Sequence, residues 1–336
     1  MNPVAAETVV GRYAPSPTGP LHLGNIRTAL LCWLQARLAG GRVLLRLDDL
    51  DRPRNQPGST EQILGDLTWL GLHWDGDVIV QTTREQHYQA AFSLLKKAGA
   101  IFPCRCSRRD IASALSTPNP PGTETPYPGT CRPENNPAPI EPGEPVAWRY
   151  RVSDTKLAWR DGILGRQCDH LARHPGDFIV RRKDGIIAYQ LASVVDDALT
   201  GVTDVLRGAD LVDSTARQIA LFRSLGYSAP RFWHVPLMTD DSGEKLSKRH
   251  GDTSVKAFME AGYLPEAMFN FMCLLGWSMG DREVFSKQEA IAAFDLDQVS
   301  RNTAIFDTTK LEWLNGEYIR AMPTADFIGR VRPLLG

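Results

Sequence analysis

The sequence lacks any run of about 18 consecutive apolar residues, the length at which a membrane-spanning helix becomes a candidate. Its N-terminus lacks a basic stretch followed by an apolar one, so no secretory signal peptide is predicted. We therefore expect a soluble, cytoplasmic protein with no membrane partner. The 336 residues, 43% of them hydrophobic, are enough for two or three globular domains.

An excess of positive charge is also missing, because 38 Lys and Arg residues face 39 Asp and Glu residues. A nucleic acid would have to be bound by a local basic patch and not by the charge of the whole molecule.

Cysteine is scarce, with six residues, but three of them cluster at Cys104, Cys106 and Cys131. In a long chain of cytosolic character, this clustering favours a metal site over disulfides.

The first hundred residues alternate between strand and helix patterns. VVGRYAPSPTG predicts a short strand and a loop, and the helical spacing of Leu30, Leu31, Leu34 and Leu38 predicts a helix after it. The apolar run Val43–Leu47 predicts a buried strand. A strand, helix and strand in this order form a βαβ unit, which predicts an α/β fold with a Rossmann-type, doubly wound parallel sheet. The functional site is expected at the carboxyl ends of its strands.

Changes in composition divide the chain into four predicted segments. These are the first half of the Rossmann-type domain (1–100), an inserted subdomain rich in Pro, Arg and Cys (101–187), the second half of the Rossmann-type domain (188–254), and a helical domain (255–336). Within them, GDFIVRRKDGIIAYQLASVVDDAL predicts strands and a hairpin around Asp184–Gly185. From Val255 onward the pattern is helical, with no clear strand.

Two motifs have the residues that phosphate binding requires. In PLHLGN, Gly19 and Gly24 allow a ligand to approach the backbone, the following helix N-terminus favours phosphate, and His22 can donate a hydrogen bond. In EKLSKRHG, Lys245 and Lys248 are cations on a loop that can close over a triphosphate. Taken singly, the alternatives are a glycine turn with a surface histidine and a solvated basic loop.

Together, the two motifs resemble the paired signatures of class I aminoacyl-tRNA synthetases, with Asn25 where the commonest first signature has a second histidine. RYAPSPTGPLHLGNIRTAL, LRLDDLDRPR, AYQLASVVDDALTGVTDVLRGADLVDSTARQ and HVPLM are similar to the glutamate-activating branch, and the similarity extends to about Asn315. The resemblance implies a ligase that forms glutamyl-adenylate from L-glutamate and ATP, with Mg²⁺ on the ATP, and transfers the glutamyl group to a tRNA.

The resemblance also implies roles for individual residues. The catalytic residues are His22, Lys245 and Lys248, and the ATP-binding residues are His22, Gly24 and Lys248. The glutamate-binding residues are Arg12, Ala14, Ser16, Asp48, Tyr189 and Arg207.

Arg12 and Arg207 are expected to bind the two carboxylates of glutamate, because an arginine fork binds a carboxylate bidentately. Arg12 is expected to bind the side-chain carboxylate. Asp48, a glutamate in most relatives, is expected to bind the ammonium; alternatively it pairs with an arginine or caps a helix. Tyr189 could instead be a half-buried strand tyrosine.

The cysteine cluster predicts one structural Zn²⁺. Thiolates bind Zn²⁺ tetrahedrally, and metal binding can stabilise a subdomain that has few core residues. Cys104, Cys106 and Cys131 supply three ligands, and the resemblance places Tyr127 at the fourth position. A water or another side chain is the alternative fourth ligand, and three free buried cysteines are the alternative to a metal site. Basic residues near this subdomain predict a patch for tRNA phosphates, with solvated surface residues as the alternative for each: Arg105, Arg108, Arg109, Arg132, Arg149, Arg151, Arg181, Arg182 and Lys183.

Two acceptors compete within the glutamate-activating branch. Some members charge tRNA(Glu), whereas shorter members attach glutamate to queuosine, the modified wobble base of tRNA(Asp). The chain length, Leu211 in place of the tryptophan usual in the first group, YPGTCRP and CSRRDIA favour queuosine. KLSKRHGDTSV, GYLPEAMFNFMCLLGWS and FDTTKLEWLN resemble the stem-contact domain of the tRNA(Glu) group. We predict the tRNA(Asp) reaction in a monomer; the alternatives are tRNA(Glu) charging and a catalytically idle RNA-binding relative.

Overall fold

A computed structural model gives the structure over residues 8–114, 124–135, 137–239 and 253–332. Across these ranges the chain forms twelve strands and eleven α-helices. The strands are β1 (Val10–Tyr13), β2 (Arg42–Leu47), β3 (Ile79–Val80), β4 (Ile101–Cys104), β5 (Ala147–Tyr150), β6 (Leu157–Asp161), β7 (Gly165–Asp169), β8 (Phe178–Arg181), β9 (Asp204–Gly208), β10 (Arg231–Val235), β11 (Met238–Thr239) and β12 (Ala304–Ile305). The helices are α1 (Leu23–Leu38), α2 (Ser59–Trp69), α3 (Glu85–Lys97), α4 (Arg108–Ser113), α5 (Tyr189–Leu199), α6 (Val212–Ser224), α7 (Val255–Glu260), α8 (Pro265–Leu274), α9 (Lys287–Ala293), α10 (Thr308–Ala321) and α11 (Thr324–Val331).

Seven strands form the central sheet, in the order β3-β2-β1-β9-β10-β6-β7. Every neighbouring pair is parallel except the terminal hairpin β6–β7. The strands β2 and β3 lie on one side of β1 and the strands β9 and β10 on the other, so the strand order reverses between β1 and β9. In an open parallel sheet, a crevice forms outside the carboxyl ends of the strands at such a switch point. The predicted α/β fold is therefore confirmed, and its crevice is expected beside β1 and β9.

Helices cover both faces of the central sheet, and each face has its own apolar core. One core joins α1 and α2 to the C-terminal helices and includes the fully buried side chains of Ile63, Met268 and Leu311. The other joins α3, α5 and α6 and includes Leu191 and Phe222. Burying a large apolar side chain contributes roughly 1.5–3 kcal/mol, so these cores hold the strand ends in fixed positions. None of the helices in the described ranges combines the length and apolar character needed to cross a bilayer.

A separate three-stranded antiparallel sheet, in the order β4-β5-β8, forms the inserted subdomain. The hairpin β6–β7 lies in the same predicted segment, 101–187, but it extends the central sheet, because Asp161 of β6 pairs with Phe232 of β10. The segment therefore contributes to two structural units. The composition does not mark the boundary between these two units. The Pro-rich and Cys-rich part ends before the hairpin begins, so no change in composition coincides with the start of the hairpin.

Two local predictions are corrected. The turn at Asp184–Gly185 is present, with Arg181 bridged to Ile187 across it, but the residues that follow form helix α5 and no strand. The apolar run after the turn favours a hairpin locally, whereas the spacing of Leu191, Val194, Val195 and Ala198 is that of a helix. In the C-terminal segment, predicted to be helical throughout, β12 pairs with β11.

Candidate functional site

Arg207 lies in β9 at the switch point, with only 4% of its surface exposed. Its Nε donates to Nε2 of His234 at 3.0 Å, and its terminal nitrogens donate to Oε1 of Gln218 at 2.7 Å and Oγ1 of Thr215 at 2.9 Å. Burial lowers the pKa of Arg207, and no carboxylate contacts it in the part of the chain that the structure describes. Because its partners are neutral, its positive charge is available to a carboxylate ligand.

Arg12 lies on the neighbouring strand β1 and is equally buried. Its Nε donates to Asp197 at 3.2 Å, and Arg46 donates to the same carboxylate. Burial raises the pKa of Asp197, but the two guanidinium groups outweigh it and the net shift is downward, so Asp197 is ionised. Arg46 pairs in addition with Asp48 and Asp196, so Asp197 is the carboxylate that mainly balances the charge of Arg12. The terminal nitrogens of Arg12 make no hydrogen bond to the described residues.

Asp48 follows β2 directly and accepts a hydrogen bond from Arg46 Nε at 2.7 Å. This contact is the arginine pairing that the sequence left open. Burial raises the pKa of Asp48 against the opposing effect of Arg46. Its backbone N–H donates to the carbonyl of Pro15 at 3.0 Å, so Asp48 is tied to the loop after β1. Its binding of an ammonium group stays a prediction.

The remaining predicted glutamate-binding residues surround these arginines. Tyr189 is the first residue of α5, and its hydroxyl lies 3.5 Å from Nη1 of Arg207. Its side chain is 37% exposed, so it stands at the edge of the arginine cluster and not within a strand. Ala14 and Ser16 lie in the loop after β1, half-buried and exposed respectively. All six predicted residues therefore lie on, or just after, the central strands β1, β2 and β9 or at the N-terminus of α5.

His22 is the N-cap residue of α1, at the carboxyl end of β1. Its backbone N–H donates to Oδ1 of Asn25 at 3.2 Å, so the asparagine helps to fix the start of the helix. Gly24 leaves room for the imidazole, because a Cβ atom there would lie 3.2 Å from Cε1 and 3.3 Å from Nδ1 of His22. The exposed ring therefore lies against a helix N-terminus, where a phosphate is favoured.

The second phosphate motif, with Lys245 and Lys248, lies outside the described residues. Its flanks are described: β11 ends at Thr239, and Ser254 forms a β-bridge with His22. Ser254 is six residues after Lys248 in the sequence. The chain that carries the second motif therefore returns to the first motif directly after it.

Gly24→Ala tests the packing of His22 against the helix. The added methyl group requires the imidazole to move by a few tenths of an ångström, and small displacements of positioning groups reduce rates strongly. We expect kcat/KM for ATP in glutamate-dependent pyrophosphate exchange to fall about tenfold. Gly65→Ala in α2 is the matched control, because a Cβ atom there meets nothing within 4 Å. An unchanged rate for Gly24→Ala would show that the ring position is unimportant.

The three clustered cysteines have the geometry of a metal site. Their sulfur atoms all lie within 4.8 Å of one another, and those of Cys106 and Cys131 are 3.5 Å apart. Tetrahedral Zn²⁺ with bonds of about 2.3 Å places its sulfur ligands about 3.8 Å apart, so the cluster fits the ion with small adjustments. Burial raises the pKa of the Cys131 thiol, but hydrogen bonds from Tyr127 and the Arg105 backbone outweigh it and lower the pKa overall. The cluster can therefore bind a metal ion.

Tyr127 directs its hydroxyl oxygen into the cysteine cluster. The oxygen accepts hydrogen bonds from Sγ of Cys104 at 3.4 Å and from the backbone N–H of Cys131 at 2.8 Å. Arg149 donates to Sγ of Cys104 at 3.3 Å, and its guanidinium carbon lies 4.0 Å from the centre of the Tyr127 ring. Arg149 therefore holds both Cys104 and the Tyr127 ring in place within the cluster.

The arginines near this subdomain divide into structural and exposed groups. Arg149 is buried, and Arg132 pairs with the buried Asp177 at 2.6 Å, so neither is available for an RNA phosphate. Arg105 pairs with Glu144. Exposed basic residues remain at positions 108 and 109 of α4, at Arg151 and at Lys183. The basic surface is therefore smaller than the composition indicated.

Comparison with known proteins identifies the family. The profile described as "tRNA synthetases class I (E and Q), catalytic domain" matches residues 8–313. The chain belongs to this family. It is therefore a ligase of the class I tRNA synthetase type, and the predicted resemblance is confirmed. The family implies an amino acid, ATP and tRNA as substrates.

Several relatives are similar over most of this chain. Glutamate--tRNA ligase 1 of Methylobacterium radiotolerans is 42% identical over 98% of this chain and 69% of its own length. The glutamyl-Q tRNA(Asp) synthetase of Symbiobacterium thermophilum is 43% identical over 91% of this chain and 98% of its own length. The crystal structure of a glutamate-tRNA synthetase from Elizabethkingia anophelis superposes with a TM-score of 0.86 at 29% identity, covering 98% of this chain and 74% of that one.

Several residues that hold the site were not singled out from the sequence. Thr215, Gln218 and His234 contact Arg207, and Asp197 holds Arg12. His234 lies in HVPLM, which contributed to the resemblance without a role being assigned to it. The available signal was the Asp196–Asp197 pair inside an apolar run, because a carboxylate that is buried there needs a partner.

Proposed function

We propose that this synthetase activates L-glutamate with ATP and transfers the glutamyl group to queuosine at the wobble position of tRNA(Asp). The observation that carries the first part is the buried guanidinium of Arg207, which has only neutral partners among the residues the structure describes. A buried cation in a crevice without a counter-charge favours an anionic ligand. Arg12, on the adjacent strand, supplies a second cationic group with unused donors.

The two arginines match the two carboxylates of glutamate. Arg12 is assigned to the side-chain carboxylate and Arg207 to the other, and each fork can donate two parallel hydrogen bonds. Asp48 is assigned to the ammonium, either directly or through a water, and Tyr189 closes the edge of the pocket. The backbone of Ala14 and the hydroxyl of Ser16 lie in the loop that joins this pocket to His22. A site that pairs every charge of glutamate discriminates against amino acids that lack one of them.

Activation is an attack by the α-carboxylate of glutamate on the α-phosphorus of ATP, with pyrophosphate as the leaving group. No group of the protein needs to become covalently modified in this step. His22 and the N-terminus of α1 are assigned to the phosphates, and Lys245 and Lys248 to the charge that develops on them. Mg²⁺ accompanies ATP and neutralises phosphate charge. Positioning and charge neutralisation therefore account for most of the catalysis.

The assignment of the acceptor rests on three observations. The relative from Symbiobacterium thermophilum that is named a glutamyl-Q tRNA(Asp) synthetase matches over 98% of its own length. YPGTCRP and CSRRDIA, which resemble that group, supply Tyr127, Cys131 and Cys106 to one cluster. Leu211 occupies the position where tRNA(Glu)-charging enzymes usually have tryptophan. The competing function is charging of tRNA(Glu) at its 3′ end, favoured by relatives named glutamate--tRNA ligase.

The cluster of Cys104, Cys106 and Cys131, with Tyr127 as the fourth ligand, is assigned to one structural Zn²⁺. The sulfur spacing and the direction of the Tyr127 oxygen support this assignment. The surrounding core is small, because Phe102 and Ile111 are the only buried members in the described residues other than these possible ligands. Ile101, Tyr150 and Phe178 of the subdomain's sheet pack in the second apolar core, so metal binding would stabilise mainly the part of the subdomain around the cluster.

Charging assays with trimmed tRNA separate the two acceptors. The substrates are tRNA(Asp) with queuosine, tRNA(Asp) with guanosine at the wobble position, and tRNA(Glu), each with and without the 3′-terminal adenosine. We expect labelled glutamate to be transferred only to queuosine-containing tRNA(Asp), with or without that adenosine. Transfer to intact tRNA(Glu) that is abolished by trimming would establish the competing function. Absence of both transfer and pyrophosphate exchange would indicate a catalytically idle relative.

A further inference from the structure

Two buried polar residues connect the interior of the protein to Arg207 by hydrogen bonds. Asp161, at the end of β6, and His234, in β10, are 1% and 0% exposed. Oδ2 of Asp161 lies 2.5 Å from Nδ1 of His234, and Nε2 of His234 lies 3.0 Å from Nε of Arg207. Asp161 and His234 do not line the proposed glutamate pocket, and neither has a role in the activation chemistry given above.

The hydrogen-bond donors around His234 determine where its ring proton lies. A guanidinium can only donate, so Nε2 of His234 must present a lone pair to Arg207. The hydroxyl of Thr215 is 3.2 Å from the same Nε2 and accepts from Arg207 with its oxygen, so its own proton is free to point at His234. The ring proton therefore lies on Nδ1, facing the carboxylate of Asp161.

Asp161 is itself held rigidly in this orientation. Its Oδ1 accepts from the backbone N–H groups of Ile163 at 3.0 Å and Leu164 at 2.8 Å. Burial raises the pKa of Asp161, but the hydrogen bonds from His234 and the backbone outweigh it and the net shift is downward. Burial also lowers the pKa of His234, which keeps the imidazole neutral beside a guanidinium. His234 lies between the carboxylate of Asp161 and Arg207, so Asp161 orients the arginine without contacting it.

We propose that Asp161 and His234 are positioning residues for Arg207. Asp161 holds His234 in its Nδ1-protonated tautomer, and His234 in that tautomer directs Arg207 toward the substrate carboxylate. The opposite tautomer would place an N–H group of His234 against the Nε–H of Arg207, and these two donors would repel. Arg207 would then leave the position set by Gln218 and Thr215. This inference rests on the proposed function of Arg207 in glutamate binding.

Asp161→Asn is the most selective test. The asparagine oxygen can still accept from the backbone N–H groups of Ile163 and Leu164, but its amide presents a donor to Nδ1 of His234 and so favours the wrong tautomer. In pyrophosphate exchange we expect the KM for glutamate to rise at least tenfold, while the KM for ATP stays within twofold. Asp177→Asn is the control, since it alters an equally buried carboxylate, paired with Arg132, in the inserted subdomain.

Two substitutions of His234 separate its two hydrogen bonds. Glutamine carries its amide near the position of Nε2 and can still accept from Arg207, whereas asparagine carries its amide near Nδ1 and reaches only Asp161. We therefore expect His234→Gln to retain more glutamate affinity than His234→Asn. Equal effects on the two KM values for glutamate and ATP, or the reverse order of the two variants, would contradict the proposal.

The tautomer can be measured without any substrate. Labelling the seven histidines with ¹⁵N, and using the His234 variants for assignment, should show His234 protonated on Nδ1 in the native protein. Protonation on Nε2 there would overturn the inference even if Asp161→Asn does not fold. Normal glutamate binding by Arg207→Gln would overturn the proposed site and this inference with it. A defective Arg207→Gln beside an unaffected Asp161→Asn would overturn this inference alone.

Discussion

Arg207→Gln is expected to abolish most glutamate activation, lowering kcat/KM for glutamate by a factor of about 10³ in pyrophosphate exchange. A bidentate pair of hydrogen bonds between charged groups contributes roughly 4 kcal/mol, and each 1.4 kcal/mol corresponds to a factor of ten. Glutamine keeps part of the side-chain volume but neither the charge nor the fork. The loss should appear mainly in the KM for glutamate, because ATP is assigned to His22 and the N-terminus of α1.

Arg223→Gln is the matched control, because Arg223 lies on the exposed face of α6, the helix that also carries Thr215 and Gln218. It should keep normal kinetics. Thermal unfolding of both variants separates loss of substrate binding from loss of stability, since Arg207→Gln also removes donors from Gln218 and Thr215. If Arg207→Gln binds glutamate as the native protein does, the assignment of the substrate pocket is wrong.

Much of the fold could be predicted because its local signals are strong. The helical spacing in α1 and the apolar run in β2 identify a βαβ unit, and its parallel topology places the crevice at the carboxyl ends of the strands. Helix α5 carries a helical period at Leu191, Val194, Val195 and Ala198, but the turn before it, flanked by apolar runs, favours a hairpin locally. The place of hairpin β6–β7 in the central sheet depends on the pairing with β10, which is remote in sequence and has no local signature.

The same distinction applies to the candidate site. Arg12 lies in a strand that the sequence indicates and Asp48 follows one, whereas Arg207 lies in β9, which was not predicted. The resemblance to a family selected all three residues. Their supporting contacts could not be predicted, because Arg12 meets Asp197 and Arg207 meets His234 only after the strands are ordered in the sheet. Asp48 illustrates the limit, since its pairing with Arg46 two residues earlier was one of several open alternatives.

Cys131→Ser is expected to remove the metal ion and destabilise the inserted subdomain. The native protein should contain one zinc ion per chain by elemental analysis, and the variant less than about a tenth of that, because a serine hydroxyl is a poor replacement for a thiolate. The small core around Phe102 and Ile111 gives the loops that carry the cysteines few apolar contacts besides the metal site. Limited proteolysis should therefore cleave the variant much faster between Cys104 and Cys131, and a strong chelator should have the same effect on the native protein.

Cys168→Ser is the control for the loss of a thiol, because Cys168 is exposed on β7, away from the cluster. It should retain its zinc. Tyr127→Phe separates the fourth ligand from the other three: if the phenol oxygen binds the ion, zinc affinity should fall at least tenfold while the three sulfurs still hold some metal. Unchanged zinc affinity in Tyr127→Phe would assign the fourth position to a water or another side chain. If the native protein contains no zinc, the metal assignment is wrong, and Tyr127 is then only a hydrogen-bond partner of Cys104 and Cys131.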